Sequence, residues 1–157
     1  MGRTFFRRAN LIDGRDGPKK NSTVVVEGKR ITAVAANGDA PKPSANDVVY
    51  DLAGRSLMPG MIQSHFHVAY DNVKSLAEID LKHPVTMTTL IAAKNAELLL
   101  RCGFTGAIGA GAAHYIDVTL KQAIDRGLIP GPRMMACGRD LSSTGDSVDL
   151  HPSWWKL

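Results

Sequence analysis

Two histidines separated by one residue, His65 and His67, close the segment Pro59-Gly60-Met61-Ile62-Gln63-Ser64-His65-Phe66-His67. If this segment is a strand, residues two apart share a face. Met61, Gln63, His65 and His67 would then lie on one side, and Ile62, Ser64, Phe66 and Val68 on the other. Two neutral imidazoles about 6 to 7 Å apart along a strand suit one divalent cation of borderline softness, with Zn²⁺ the usual candidate. A catalytic zinc takes three protein ligands and keeps a position open for water, so at least one further ligand must come from elsewhere. A His-x-His strand also occurs as plain surface or structural sequence, and the pair alone leaves both readings open.

The other imidazoles carry less. His114 follows Gly109-Ala110-Gly111 and occupies the place where a dinucleotide fingerprint wants its last glycine, so backbone room for a substrate is a better account of that run than phosphate binding. A phosphate-binding module built on residues 103–111 is the weaker alternative. His83, before Pro84, reads as a turn residue. His151 lies with Asp146, Asp149 and Trp154 in a loop-like tail, where it would be a substrate contact.

The elements that must position these groups divide the chain in two. Residues 1–57 read as short strands broken by turn residues: 4–12, 23–27, 30–36 and 48–52. Gly28-Lys29 forms a two-residue hairpin loop and Asp13 to Pro18 a cluster of turn formers. Residues 58–157 alternate strand and helix, as a parallel α/β sheet requires: strands at 61–68, 104–108 and 133–137, helices at 85–101 and 116–126. The first helix has Leu90, Ile91 and Leu98 on an apolar face and Lys94, Glu97 and Arg101 on a charged one, and Gly103 stands where a helix-ending glycine belongs.

With 157 residues, 44% apolar and 22% charged, the composition is that of an ordinary globular domain. The net charge of +4 is scattered, with Arg7-Arg8, Lys19-Lys20 and Lys29-Arg30 as isolated doublets, so no nucleic-acid partner is expected. Two cysteines, Cys102 and Cys137, build no disulfide framework and point to a reducing compartment, the cytoplasm. There is no run of eighteen apolar residues for a membrane span, nor an N-terminal apolar run for a signal peptide.

Several landmarks in fixed order carry a resemblance. They are Asn10-Leu11-Ile12-Asp13-Gly14, Val26-Glu27-Gly28-Lys29-Arg30-Ile31, Asp51-Leu52-Ala53-Gly54-Arg55, the Leu57-Met58-Pro59-Gly60 lead into His65-Phe66-His67, Leu100-Arg101-Cys102-Gly103-Phe104-Thr105, and Ala123-Ile124-Asp125-Arg126-Gly127 with Gly131-Pro132-Arg133. The chain resembles the start of the metal-dependent amidohydrolase superfamily, in its imidazolonepropionase-like and prolidase-like branch.

The resemblance implies the N-terminal part of a distorted TIM-like (β/α)8 barrel, preceded by strands of a small β-sandwich. One or two divalent metals, Zn²⁺ foremost, would sit at the barrel mouth, held in part by His65 and His67, with Gln63 hydrogen-bonded behind an imidazole. It implies hydrolysis of an amide, dipeptide or cyclic amide by metal-activated water, with His114 and His151 near the substrate and a homo-oligomeric whole protein. Eight βα units take about 250 residues. The barrel is therefore expected to be incomplete in this chain, with the bridging lysine, two more histidines and the catalytic aspartate beyond Leu157, no catalytic residue within it, and no activity or well-behaved monomer from it alone. Gln63 stands where the family usually has Asp, Gly106-Ala107-Ile108-Gly109 replaces its Thr-Val-Arg-Asp, and Thr144-Gly145-Asp146-Ser147 does not match its Gly-Gly-His. The competing expectation is a non-catalytic or truncated scaffold or assembly protein on the same fold.

Overall fold

A computed structural model describes residues 2–36, 38–75, 78–141, 143, 144 and 146. The chain divides into two compact units, with the boundary between Pro59 and Gly60. No helix among the described residues is long and apolar enough to cross a membrane.

The first unit is a five-stranded sheet of β1 (Thr4–Leu11), β2 (Lys19–Glu27), β3 (Arg30–Ala36), β4 (Val48–Asp51) and β5 (Ser56–Leu57), in the order β3-β2-β1-β4, with β5 pairing the end of β1. β2 runs antiparallel to both neighbours, while β4 and β5 lie parallel to β1. Phe5, Ala9, Leu11, Val24 and Val25 are buried. Glu27 pairs with Arg30 across the two-residue Gly28-Lys29 turn, as its sequence predicts. β2 begins at Lys19, earlier than the β-branched run from residue 23 suggests. The turn before it is closed by Asp13, whose carboxylate accepts the Arg15 N–H (3.0 Å) and the Lys19 ammonium (2.8 Å), and Lys19 pairs with Leu11. The lysine holds the Asp13 carboxyl down to about 2.

The second unit has β6 (Met61–Phe66), α1 (Glu78–Leu81), α2 (Val85–Arg101), β7 (Phe104–Gly109), a 3-10 turn (Ala113–Tyr115), α3 (Ile116–Asp125) and β8 (Arg133–Met135). The three strands form a parallel sheet in the order β6-β7-β8. α2 spans the predicted residues, and the N–H of Gly103 donates to the Leu100 carbonyl at its end (3.0 Å). Its buried positions differ from expectation. Ala92 and Ala96 are buried and Ala93 and Leu99 pack beside them, while Leu90 and Leu98 are 67% and 55% exposed. The core they enter is formed by Ala107, Ile116, Leu120 and Met134. Alanines let the helix axis approach the sheet more closely than leucines would.

The register of β6 against β7 contains two offsetting bulges. Met61 pairs with Phe104 and Ile62 with Gly106, so Thr105 is extra on β7; Gln63 pairs with Ala107 and Phe66 with Gly109, so one residue between them is extra on β6. Paired residues on parallel strands share a face. Gln63 therefore lies on the side of Ala107 and Phe66, which is the side that packs toward the helices. Ile62 shares the opposite side with Gly106, where a Cβ on Gly106 would stand 3.3 Å from Ile62 Cγ1. His65 and His67 flank Phe66 and project to that opposite side. The uninterrupted alternation that would group Gln63 with the histidines does not hold, because a bulge intervenes.

Candidate metal centre

His65 is the next-to-last residue of β6 and His67 the first residue past it. His65 lies within the bulged interval 64–65 and His67 after it, and both rings come to one face. Their Nε2 atoms are 3.2 Å apart, and the rings meet edge to face with centroids 4.9 Å apart. His67 Nδ1 is 3.2 Å from the carbonyl oxygen of Gly111. A carbonyl only accepts, so Nδ1 carries the proton and His67 Nε2 presents its lone pair. Without metal, His65 Nε2–H donates to that lone pair. If the proton resides on His65 Nδ1 instead, both Nε2 lone pairs face one point.

The donor set fits a divalent metal. Two nitrogens at about 2.0–2.1 Å from one tetrahedral zinc are about 3.3–3.4 Å apart, which the observed 3.2 Å matches. A backbone carbonyl on the far ring nitrogen is the usual way a ligating histidine is oriented. Among the described residues no group of three His, Cys, Asp or Glu side chains converges, so the pair is the whole donor set seen there.

Besides His65, Tyr70 and Gly111 hold His67. Tyr70 stacks on its ring, with centroids 4.3 Å apart and planes 10° from parallel. Gly111 follows β7, is buried, and has a φ of 120° that a side chain rarely tolerates; a Cβ there would also lie 2.0 Å from Asp140 Oδ1. Its neighbour Ala112 donates to the carbonyl of Gly138 (2.8 Å), and the Gly138 N–H donates to Asp117 Oδ2 (2.9 Å). The same oxygen takes the Cys137 N–H at 2.9 Å, and Oδ1 takes that of Val118 at 2.8 Å. Asp117, buried in the first turn of α3, thus ties the loops that follow β7 and β8.

Of the remaining expected site residues, Gln63 makes no hydrogen bond to either imidazole; the group behind His67 is the Gly111 carbonyl. The register explains this, since Gln63 faces the helices. His114 is exposed in the 3-10 turn with φ 55°, followed by Tyr115 at φ 56°. It lines a cavity of about 20 Å³ with Tyr70, His83 and Asp140, room for one water molecule, and no hydrogen bond joins it to His65 or His67. His151, with Asp149 and Trp154, lies outside the described residues. Tyr70, Asn95 and Asp117 were not singled out by the sequence, and Gly111 was read only as backbone room for a substrate, not as the partner of His67. For Asn95 a signal existed, an amide on the same face of a helix as Ala92 and Leu99.

No family model matches the chain. An ochratoxinase from Aspergillus niger is 28% identical over 154 residues, covering 94% of this chain and 30% of that enzyme. An imidazolonepropionase from an Arthrobacter species is 41% identical over 51 residues, 32% of this chain and 12% of that one. Among solved structures, a prolidase complexed with N-methylphosphonate-L-proline superposes with a TM-score of 0.80 at 30% identity, over 99% of this chain and 36% of that one. A Xaa-Pro dipeptidase with methionine bound in its active site gives 0.82 at 26% identity, over 94% and 36%. The chain thus spans about a third of the length of these enzymes. The mixed α/β fold, with its parallel strands ending in a converged histidine pair, and the hydrolases it matches along nearly its whole length agree on one assignment: the chain belongs to the amidohydrolase superfamily.

Proposed function

We propose that this chain supplies the opening metal ligands, His65 and His67, of a hydrolase that cleaves C–N bonds in small amides, dipeptides or cyclic amides. The observation that carries this reading is the 3.2 Å convergence of the two Nε2 atoms with His67 fixed in its Nδ1–H form by Gly111. A bound divalent metal, Zn²⁺ by ligand type, would polarise the scissile carbonyl and lower the pKa of a water toward neutrality. The chain's own residues prepare for it. Gly111 holds the His67 proton on the far side of the ring, Tyr70 covers one face of the imidazole, and His65 stays exposed toward the side from which substrate arrives. The prolidase and dipeptidase relatives make a dipeptide the first substrate class to try, and ochratoxinase and imidazolonepropionase the reason to include other amides.

The test is metal content. In equilibrium dialysis against Zn²⁺, the full chain is expected to take up zinc that a His65→Ala/His67→Ala variant does not. Equal zinc in both by elemental analysis would reject the assignment. Hydrolysis of Xaa-Pro dipeptides and N-acyl amino acids by the whole protein, lost in the same variant, would extend it to the reaction.

A further inference from the structure

Asn95 sits in the middle of α2, half-buried, on the side of the helix turned toward the sheet. Its Nδ2 donates to two carbonyls at once, that of Val68 at 3.0 Å and that of Tyr70 at 3.0 Å. Val68 is 1% exposed, so its carbonyl has no ready water and an unmet acceptor there would be costly. Both amide protons are thus spent on the turn that follows His67. That turn is closed by the Tyr70 N–H donating to the His67 carbonyl (3.2 Å), and it carries the Tyr70 ring back onto the His67 imidazole at 4.3 Å.

We propose that Asn95 is a positioning residue for the histidine pair: by pinning the turn at residues 68–70 it holds Tyr70 against His67 and so fixes the ring plane in which Nε2 meets His65. The inference rests on the metal reading for its consequence but not for its geometry. Only a primary amide serves the purpose. An aspartate of the same shape offers no donor and sets a carboxylate against two carbonyl oxygens, and an alanine leaves both carbonyls unmet. A stacked ring also restricts rotation about the His67 side-chain bonds, which a single 3.2 Å contact from Nδ1 to Gly111 constrains only in direction.

The test compares the ¹⁵N-labelled full chain with Asn95→Asp, Tyr70→Leu and Tyr70→Phe, by histidine NMR and by Zn²⁺ titration, with far-UV circular dichroism as the check on folding. The parent is expected to show His67 as the Nδ1–H tautomer, with ring protons shifted upfield by the Tyr70 ring. Tyr70→Phe keeps that shift. Asn95→Asp and Tyr70→Leu lose it, and bind Zn²⁺ about 10- to 100-fold more weakly, the range for outer partners of metal ligands. An Asn95→Asp chain that is folded and keeps the upfield shift, or loses the shift yet binds Zn²⁺ like the parent, overturns the proposal. If Asn95→Asp does not fold, Tyr70→Leu decides in its place: parent-like zinc affinity without the ring overturns the clamp. A parent whose imidazoles ignore Zn²⁺ rejects the metal reading by itself, and the ring-shift comparison still decides whether Asn95 holds Tyr70 on His67.

Discussion

Replacing Asp117 by alanine tests whether the loops behind the histidine pair hang on one carboxylate. Asp117 is 1% exposed and accepts three backbone N–H groups, from Val118 in its own helix and from Cys137 and Gly138 after β8. Alanine strands the N–H of buried Gly138, a loss of about 1–3 kcal/mol, and that of the more accessible Cys137, about 1 kcal/mol. It also removes a negative charge from the first turn of α3, worth roughly 0.5 kcal/mol. The sum is about 3 kcal/mol. Asparagine keeps an oxygen for the two loop amides but sets its NH₂ against the Val118 N–H, two donors face to face, so it loses that bond as well as the charge assistance, about 1.5 kcal/mol in all. With a urea slope of roughly 1.5 kcal/mol/M, Asp117→Ala should lower the midpoint by about 2 M and Asp117→Asn by about 1 M. Hydrogen exchange locates the effect. The Gly138 amide should lose protection in the alanine variant, and, because the Gly138 carbonyl is bonded to Ala112 beside Gly111, the His67 Nδ1–H should exchange faster as well. An alanine variant with the parent's midpoint and a protected Gly138 amide would refute the reasoning.

Gly111→Ala forces a side chain into φ 120° and into the space of Asp140 Oδ1; a stability loss of about 1–3 kcal/mol is expected, and adding Asp140→Ala should recover only the part due to contact, so full recovery in the double variant would contradict the backbone argument. Gln63→Ala should leave Zn²⁺ affinity unchanged, because Gln63 faces the helices; a loss of the about 10- to 100-fold size seen for outer partners would put it behind an imidazole after all. Asp47 accepts the Arg3 guanidinium (2.8 Å), the Arg3 N–H (2.7 Å) and the Ser44 N–H (2.8 Å), which hold its carboxyl well below the usual range. Its stabilisation is thus present in full above the unfolded carboxyl value of about 3.9 and fades as pH falls toward the depressed folded value. Urea midpoints of Asp47→Asn and parent should differ at pH 7 and draw together below about pH 4, whereas a difference independent of pH would assign the effect to packing.

What the sequence made legible was local. The limits of α2 follow from Pro84 before it and Gly103 after it, and both act through backbone chemistry that needs no partner. Which face of α2 packs on the sheet does not follow from hydrophobicity alone, because Ala92 and Ala96 take it, while Leu90 and Leu98 form a second apolar stripe left uncovered among the described residues of a chain about a third as long as its relatives. Closeness of approach to Ala107 decides that, and closeness is a property of two surfaces. The left-handed conformation of Tyr115 is equally unreadable, since an aromatic residue rarely adopts it.

The histidine pair was readable and Gln63 was not, and one bulge accounts for both. Alternation predicts relative facing only within an uninterrupted stretch. The extra residue on β6 falls between Gln63 and Phe66, so the parity of His65 and His67 with each other survives while their parity with Gln63 is lost. The slip is confined because Thr105 is extra on β7 just before it: Met61 opposite Phe104 and Phe66 opposite Gly109 have the same offset, and only residues 62 and 63 are shifted between them. Room for the first bulge comes from Gly60, where a Cβ would stand 2.7 Å from that of Thr105. A pattern confined to one strand cannot disclose this, because each bulge is defined by the neighbour it fails to match. The two together let β6 present Ile62, His65 and His67 on one side while Gln63 and Phe66 pack on the other. The strand thereby packs a partly buried aromatic on the core directly between two histidines that project to the other side, and the histidine pair is braced by the core it grows from.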